Sequence, residues 1–259
     1  MSPIGIVSIS MGTLALDIET ASPFEEPDRG DNDTRFYEWV SVGLAYSDDT
    51  LNEPDTAVLF RRGGWEAEHT ADLFRRMIDW CDGRDIERTL TYNGAYFDLK
   101  HLLNWAEELD GSGEPSSLMA DLKASCPNHI DLAKAATAQH KDELQEGQPI
   151  LPDFIAYDLE NIDNDSVWYN DYNFDKDYWE RLGIEDKFVQ GSHVGQVLGE
   201  KYVEGVVAGL EETKTHNELE RLLYDYSISD IADLFTLYDS LGGEQLKSDF
   251  LYPIEEVER

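Results

Sequence analysis

Apolar and polar positions alternate along the chain in two rhythms, one with a period of two and one with steps of three and four. In the segment TLALDIET, residues 13–20, the apolar Leu14, Leu16 and Ile18 occupy every second position, which predicts a strand. The other predicted strands are, in chain order, 39–46, 56–60, 88–92 and 129–132. Because the first three strands follow one another, they favour an antiparallel meander.

Helices are predicted where apolar residues recur at steps of three and four. One covers 66–80, and another follows the strand at 129–132. Short helices with glycine breaks are expected over 182–207, and one long helix over 216–241. This mixture of strands and helices predicts an α/β fold, and 259 residues are enough for one such domain with a sizeable insertion.

The charge balance is strongly acidic, with 20 Lys and Arg against 55 Asp and Glu and a formal net charge of −35. Such charge can mean disorder, but 41% hydrophobic and 11% aromatic residues are enough for a packed domain. The scarcity of lysine beside abundant acids resembles proteins of halophilic archaea, so a haloarchaeal source is expected. At about 1 M salt the Debye length falls to about 3 Å, so stability is expected to rise with salt.

The same balance leaves no basic patch that could bind phosphates by itself. Nucleic-acid binding would depend on metal ions, aromatic stacking, backbone amides and a few arginines. Those arginines are Arg61, Arg62, Arg75 and Arg76, for which ordinary surface roles are favoured over substrate contact. The acidic, aromatic stretch at 145–178 offers rings that could stack on bases, although packing against the core is favoured.

The two cysteines, Cys81 and Cys126, lie far apart and match no C-x-x-C pattern, so buried thiols are expected. The N-terminus has no basic region ahead of its short apolar run, and no stretch approaches about 18 uncharged apolar residues. A cytoplasmic protein that does not associate with a membrane is therefore expected.

The first strand carries two carboxylates on one face. Side chains at positions i and i+2 of a strand share a face, so Asp17 and Glu19 project together about 6 to 7 Å apart. Two like charges this close repel, and the repulsion is relieved by a divalent cation between them or by a proton on one carboxyl. For this pair alone, a strand end with solvated acids is the simpler interpretation.

Further carboxylates occupy positions where function competes with a structural role. Asp98 falls in the first turn of a predicted helix just past a strand, where an acid also favours the helix dipole. Asp230 falls on the apolar stripe of the last predicted helix, and Tyr226 lies one turn earlier on the same face. A carboxylate buried among apolar residues needs a metal, a hydrogen-bonding partner or a raised pKa. Asp131, by contrast, is expected to cap a helix or contact a loop.

Three short motifs in this order resemble the DEDD superfamily of 3′-5′ exonucleases, which have a ribonuclease H-like fold. LALDIET resembles the first exonuclease motif, YNGAYFD the second and YSISD the third. In the histidine form of the third motif a histidine stands five residues before the last aspartate, and here Asp225 occupies that place. The resemblance therefore implies the tyrosine branch, which includes the proofreading domains of family B DNA polymerases.

The resemblance implies an architecture as well. It is a ribonuclease H-like α/β fold with a mixed five-stranded sheet, an antiparallel meander followed by parallel strands, flanked by helices. The expected organisation is a single exonuclease domain over 1–259 with an acidic, aromatic-rich insertion at about 145–178. The chain is far too short to carry a polymerase, so a free-standing nuclease is expected.

The resemblance also assigns roles to five residues. Asp17, Glu19, Asp98 and Asp230 would hold two Mg²⁺ or Mn²⁺ ions, and Tyr226 would orient the attacking water. Asp17 would bridge both ions. Glu19 and Asp230 would help to hold the ion that activates water, and Asp98 would complete the second site.

The implied activity is metal-dependent release of nucleotides from the 3′ end of a nucleic acid. Thr20, Asn93 and Phe97, within or beside the motifs, are candidate substrate contacts, while Asp233 lies beside the apolar stripe and is not selected by the tyrosine spacing. Single-stranded DNA is favoured over RNA as the partner on the polymerase-like resemblance alone.

Two other classes of function stay open. One is a binding module, either a catalytically silent nuclease fold or an acidic mimic of nucleic acid that binds a basic partner without metal. The other is a ribonuclease H-like endonuclease, which would cut internally and give long products first. The intact set of carboxylates and the tyrosine motif favour the exonuclease over both.

Overall fold

A mixed five-stranded sheet organises the protein. The structure, a computed structural model, describes residues 12–28, 30–48, 53–112, 117–164, 166–246, 250–257 and 259. The strands are β1 (Thr13–Ala21), β2 (Glu38–Ser47), β3 (Asp55–Phe60), β4 (Arg88–Thr91) and β5 (His129–Asp131). Their order is β3-β2-β1-β4-β5, in which β2 pairs antiparallel with β1 and β3, while β4 pairs parallel with β1 and β5. The predicted fold class is confirmed.

Helices flank both faces of this sheet. In the part of the chain that is described they are α1 (Ala67–Cys81), α2 (Asp98–Gly111), α3 (Leu118–Ser125), α4 (Leu132–Gln139), α5 (Asp153–Leu159), α6 (Tyr178–Arg181), α7 (Gly191–His193), α8 (Gly199–Val207), α9 (Lys214–Ala232) and α10 (Leu234–Ser240). A π-helical turn, Val194–Leu198, joins α7 to α8. The helices predicted at 66–80 and around Asp98 are confirmed, whereas α3 was not expected.

The prediction of glycine breaks within 182–207 is wrong for the stretch from Gly191 onward. There α7, the π-helical turn and α8 follow one another without a break, and the glycines allow close packing instead. A Cβ at Gly199 would lie 2.9 Å from Cγ2 of Val40, and one at Gly205 would clash with the imidazole ring of His216. These glycines therefore bring α8 against β2 and α9.

The prediction of one long helix over 216–241 is also wrong, because this region forms two helices. The break lies at Asp233, between α9 and α10. The Asp233 carboxylate accepts a hydrogen bond of 3.0 Å from Nδ2 of Asn164, outside both helices. A short polar side chain with such a partner competes with helix continuation.

Three apolar clusters fill the space between the sheet and its helices. Leu14, Leu16 and Ile18 of β1 pack with α1 and α2 on one face, and Ala15 packs with α4, α10 and the end of α9 on the other. The third cluster lies at the end of β1 and the start of β2 and includes α8, α9 and rings from the acidic stretch.

The thiols and the helix lengths bear on two of the predictions. Cys81 and Cys126 are free and buried, as expected. Among the described residues, no helix has the length and apolarity needed to cross a bilayer.

Candidate active site

The first strand positions two acids by its alternation. Leu16 and Ile18 point into one apolar cluster, so Asp17 and Glu19 project from the opposite face, on the side covered by α9. Directly after Glu19 the pairing of β1 with β2 shifts register, which is a bulge that the sequence did not reveal. Bulges change the direction in which neighbouring side chains project, and here the bulge lies beside the acids.

Helix α9 brings the third carboxylate to this strand. Gly43 of β2 lies directly opposite Asp17 in the ladder. A Cβ at Gly43 would lie 3.0 Å from the carbonyl oxygen of Ser227, so α9 packs on bare backbone at this point. Asp230 follows one turn later, and one carboxylate oxygen each from Asp17, Glu19 and Asp230 lies within 4.8 Å of the other two.

The fourth carboxylate comes from the start of α2. Asp98 is buried, and its Oδ1 accepts a hydrogen bond of 2.9 Å from the backbone N–H of Ile18. This hydrogen bond favours the ionised carboxylate and opposes the effect of burial, which raises the pKa of Asp98 to about 7.

Asp131 supports the turn that leads to Asp98. Its carboxylate accepts hydrogen bonds from the backbone N–H groups of Asn93 (2.9 Å), Ala95 (3.2 Å) and Ala133 (3.1 Å). The last of these caps α4, so the expected role as a cap and loop contact is confirmed. Asn93 has a left-handed backbone conformation with φ of 64°, which an Asn tolerates.

A cleft of about 430 Å³ lies over the four acids. Residues of both sheet and helices line it: Asp17, Ile18, Glu19, Thr20, Tyr92, Asn93, Phe97, Asp98, Ile150, Leu151, Pro152, Asp153, Tyr157, Gly191, Gly195, Tyr226 and Asp230. The structure thus brings together all five residues to which the motifs assigned catalytic roles. It also places the three candidate substrate contacts, Thr20, Asn93 and Phe97, on the same walls.

Burial and mutual repulsion raise the pKa of every one of these acids. Burial is the main cause of the raised pKa of Asp17, with repulsion from Asp98, Glu19 and Asp230 in addition. The pKa of Glu19 is raised by burial and then by Asp230 and Asp98. Burial likewise raises the pKa of Asp98 and that of Asp230 to about 7.

These residues fit a divalent cation. Protonation relieves the repulsion among these carboxylates only partly, whereas a cation among their oxygens favours the ionised forms and lowers their pKa values. Hard cations take carboxylate oxygens as ligands, and three such oxygens already lie within 4.8 Å of one another.

Tyr226 lies beside the acids as a proton donor. Its hydroxyl is hydrogen-bonded to Asp230, an interaction that lowers the pKa of this aspartate against the effect of burial. Burial, followed by the charges of Asp230, Glu19 and Asp17, raises the pKa of Tyr226 itself. The phenol therefore stays protonated, which suits orienting a water molecule and not removing its proton.

One wall of the cleft belongs to the acidic stretch, and sequence reasoning missed it. Ile150, Leu151 and Asp153 line the cleft, and the Tyr92 hydroxyl donates a 2.7 Å hydrogen bond to the carbonyl oxygen of Leu151. The negative charge of Asp153 contributes to the raised pKa of both Asp17 and Asp230. No motif or spacing in this stretch marks Asp153 as a site residue.

Most rings of the same stretch pack into the protein, as favoured. Tyr157, Tyr169 and Tyr172 are buried, whereas Phe154 is 68% exposed and Trp168 is 44% exposed. Packing, not base stacking, therefore accounts for the aromatic content of this stretch.

The surface role expected for Arg61 is wrong. Its side chain is fully buried and donates hydrogen bonds to Trp39, Thr70, Gly64 and the backbone carbonyl of Glu66. These partners hold the loop before α1, so Arg61 has a structural role.

No model of a protein family matches the chain, and no curated protein matches it in sequence. Among solved structures it is similar to the family B DNA polymerase of the hyperthermophilic archaeon Pyrobaculum calidifontis, with a TM-score of 0.49 and 17% identity. That match covers 95% of this chain and 27% of the polymerase.

The chain is also similar to solved structures of exonuclease I. For E. coli exonuclease I in complex with a 5cy-dT13 oligonucleotide, the TM-score is 0.37 and the identity 12%, over 83% of this chain and 43% of the enzyme. For exonuclease I of Methylocaldum szegediense, the TM-score is 0.35 and the identity 12%, over 57% of this chain and 35% of the enzyme. The chain thus spans less than half the length of each of these proteins.

Proposed function

We propose that the protein is a metal-dependent 3′-5′ exonuclease that hydrolyses phosphodiester bonds, with single-stranded DNA favoured over RNA. The observation that carries this proposal is the convergence of Asp17, Glu19, Asp98 and Asp230 on one cleft, from three elements far apart in the chain. Their order and residue types are those that the motif resemblance implies. Four acids in one cleft would repel a phosphate group, so the reacting phosphate can enter the cleft only after cations have bound.

Two Mg²⁺ or Mn²⁺ ions suit this set of donors. Glu19 and Asp230 would help to hold one ion, Asp98 would help to hold the other, and Asp17 would contribute to both. Such ions, when bound, neutralise charge on the phosphate, lower the pKa of a bound water and stabilise the departing oxygen.

The chain itself supplies orientation around these ions. The N–H of Ile18 fixes the carboxylate of Asp98, and Tyr226 can hold a water molecule beside Asp230 through its hydroxyl. The half-buried ring of Phe97 and the side chain of Asn93 lie on the cleft wall, where a terminal nucleotide would contact them. These groups orient the metal ligand, the water and the terminal nucleotide without gaining or losing a proton themselves.

The position of Asp225 supports the tyrosine branch. It occupies the place of the histidine in the other form, but it is exposed and does not line the cleft. Its carboxylate accepts a 2.7 Å hydrogen bond from the hydroxyl of Tyr172. We therefore assign the orienting role to Tyr226.

We further propose that the net charge of −35 reflects a halophilic source and a salt-rich cytoplasm.

The test is digestion of 5′-labelled single-stranded DNA and RNA in molar KCl with Mg²⁺ or Mn²⁺. The wild type should shorten the DNA from its 3′ end in single-nucleotide steps, and Asp17→Asn should abolish this. Asp225→Asn is the matched control, because it removes one carboxylate charge from the same protein outside the cleft.

Other results would favour the rival functions. Long products at early times, with a free 3′ end not required, would indicate an endonuclease. No cleavage of DNA or RNA by a folded protein, together with metal-independent binding to basic proteins, would indicate an acidic binding module.

A further inference from the structure

A second groove continues from the cleft along the turn before α2. It encloses about 530 Å³ and shares Asn93 and Ile150 with the cleft. Beyond this junction it is lined by Ala95, Tyr96, Lys100, Lys134, Pro149 and Tyr252. We name it the lysine groove after Lys100 and Lys134. The shared residues make cleft and groove one continuous path.

Both lysines have charges that no acid neutralises directly. Among the described residues, no carboxylate oxygen lies within 4.0 Å of either ammonium group, although 55 acids surround 20 basic residues in the chain. Lys134 Nζ instead lies 3.3 Å from the centroid of the Tyr252 ring. Lys100 donates a hydrogen bond to the backbone carbonyl of Asn32 and lies 5.9 Å from the centroid of the Tyr96 ring.

The acid next to this groove is already engaged. Lys134 lowers the pKa of Asp131, but the Asp131 carboxylate accepts hydrogen bonds from three backbone N–H groups. An ammonium group that is not paired with a carboxylate can bind another anion. In this protein the two lysines therefore provide a local positive charge beside a strongly acidic cleft.

Main-chain hydrogen bonds hold the segments that carry the two aromatic rings of the groove. Tyr96 is 53% exposed, and its N–H donates a 3.0 Å hydrogen bond to the carbonyl of Asn93. Tyr252 follows Leu251, which bridges to Ile130 of β5, and its N–H donates a 2.7 Å hydrogen bond to the carbonyl of His129. An exposed ring such as that of Tyr96 can stack on an unpaired base.

We propose that the lysine groove binds the single strand upstream of the nucleotide being removed, and this inference rests on the proposed function. Lys100 and Lys134 bind successive phosphates of the strand, and Tyr96 stacks on a base. Asn93 and Ile150 lie where the strand passes from groove to cleft. The preferred substrate is then an unpaired strand of several nucleotides, since a mononucleotide ester occupies the cleft alone.

The test compares two substrates in two charge-matched double variants. Lys100→Gln with Lys134→Gln removes the groove charges, and Lys176→Gln with Lys214→Gln removes two lysine charges that line neither groove nor cleft. The substrates are a dT10 oligonucleotide and thymidine 5′-monophosphate p-nitrophenyl ester, which has one phosphodiester and cannot reach the groove. The kcat/KM for dT10 divided by the kcat/KM for the ester should fall about tenfold in the groove variant and should not change in the control variant.

A binding measurement gives a second readout without hydrolysis. The Kd of fluorescein-labelled dT10 is measured by anisotropy in EDTA over a range of KCl concentrations. Loss of two phosphate contacts should reduce the slope of log Kd against log salt by about 1.4 in the groove variant. Tyr96→Ala should weaken binding at every salt concentration, and Tyr96→Phe should retain it because the ring is kept.

The outcomes separate this inference from the proposed function. If the wild type cleaves both substrates and the groove variant matches the control variant in ratio and in salt slope, the groove inference is overturned while the exonuclease stands. If the wild type cleaves neither substrate but the groove lysines determine binding of dT10, the groove stands and the proposed function fails.

Discussion

Gly43 lies directly opposite Asp17 across the β1–β2 ladder, and a Cβ at Gly43 would lie 3.0 Å from the carbonyl oxygen of Ser227 on α9. The absence of a side chain at this position sets how closely α9 approaches the sheet. Because Asp230 lies one turn beyond Ser227, the same contact sets the distance between Asp230 and Asp17. A glycine in a strand interior, which weakens the strand, is explained here by close backbone approach.

Substituting Gly43 should therefore separate the acids. Gly43→Val is expected to shift α9 by a few tenths of an ångström or more and to lower kcat/KM by about 100-fold, because misplacement by about 1 Å has effects of that size. Overpacking should also lower the free energy of unfolding by about 1 to 3 kcal/mol. Kinetics and denaturant unfolding measure both effects.

A matched control is Gly111→Ala, since a Cβ at Gly111 would have no neighbour within 4 Å. It should leave kcat/KM and stability near the wild type. Wild-type kinetics for Gly43→Val would show that the contact between β2 and α9 does not set the geometry of the acids.

Tyr226 is expected to act by position and not as a base. Tyr226→Phe removes the hydroxyl that is hydrogen-bonded to Asp230 but keeps the ring. We expect kcat to fall by about 10- to 100-fold with little change in Mn²⁺ affinity, and the pH profile to keep its shape, since a buried phenol does not titrate in the working range. Tyr224→Phe, at a 40% exposed position on the same helix, is the control. A kcat profile that changes its slope at high pH in Tyr226→Phe would contradict the positioning role.

The raised pKa values make the metal-free protein less stable at higher pH. Asp98 and Asp230 have pKa values of about 7 in the folded protein, against about 4 for an unfolded chain. Between these values the folded state binds more protons, so the stability that these groups contribute is lost as the pH rises through about 7. In EDTA and molar KCl, the melting temperature should be lower at pH 8 than at pH 6.

Metal and substitution should each reduce this pH dependence. Mn²⁺ should raise the melting temperature more at pH 8 than at pH 6, and binding at pH 6 should release protons, which calorimetry in two buffers of different ionisation enthalpy detects. The double variant Asp98→Asn with Asp230→Asn should lose part of the difference between the two pH values, and Asp17 and Glu19 should retain the rest. An unchanged difference in this variant would assign it to other groups.

The net charge predicts how stability depends on salt. The formal net charge is −35 on 259 residues, so self-repulsion opposes folding at low ionic strength and is screened in concentrated KCl. The free energy of unfolding should rise steadily between about 0.2 M and about 3 M KCl. Over this range the Debye length falls to about 3 Å and below. Equal melting temperatures at both ends of this series would exclude the proposed adaptation.

Much of this architecture could be predicted because local pattern and tertiary structure agree. The alternation in 13–20 gives β1 and places Asp17 and Glu19 on one face, since a strand has a side-chain period of two. The spacing of four between Tyr226 and Asp230 puts both on one side of α9 for the same kind of reason.

Other features depend on contacts between distant residues, which a single sequence does not show. Asp153 lies on the cleft wall two residues after Leu151, whose carbonyl oxygen accepts a hydrogen bond from Tyr92. Arg61 is buried with four backbone and side-chain acceptors around its guanidinium group. The sequence predicts helix breaks at Gly199 and Gly205, but at these glycines another element approaches α8 closely. Tertiary packing overrides local propensity at each of these positions.

The central claim is that Asp17, Glu19, Asp98 and Asp230 together bind divalent cations. The most direct measurement is anomalous X-ray scattering from crystals of the protein soaked in Mn²⁺ in concentrated KCl. The predicted result is a pair of anomalous peaks about 4 Å apart within the cleft, both in contact with Asp17. Peaks confined to surface acids, with the four cleft carboxylates bound to no manganese, would contradict it.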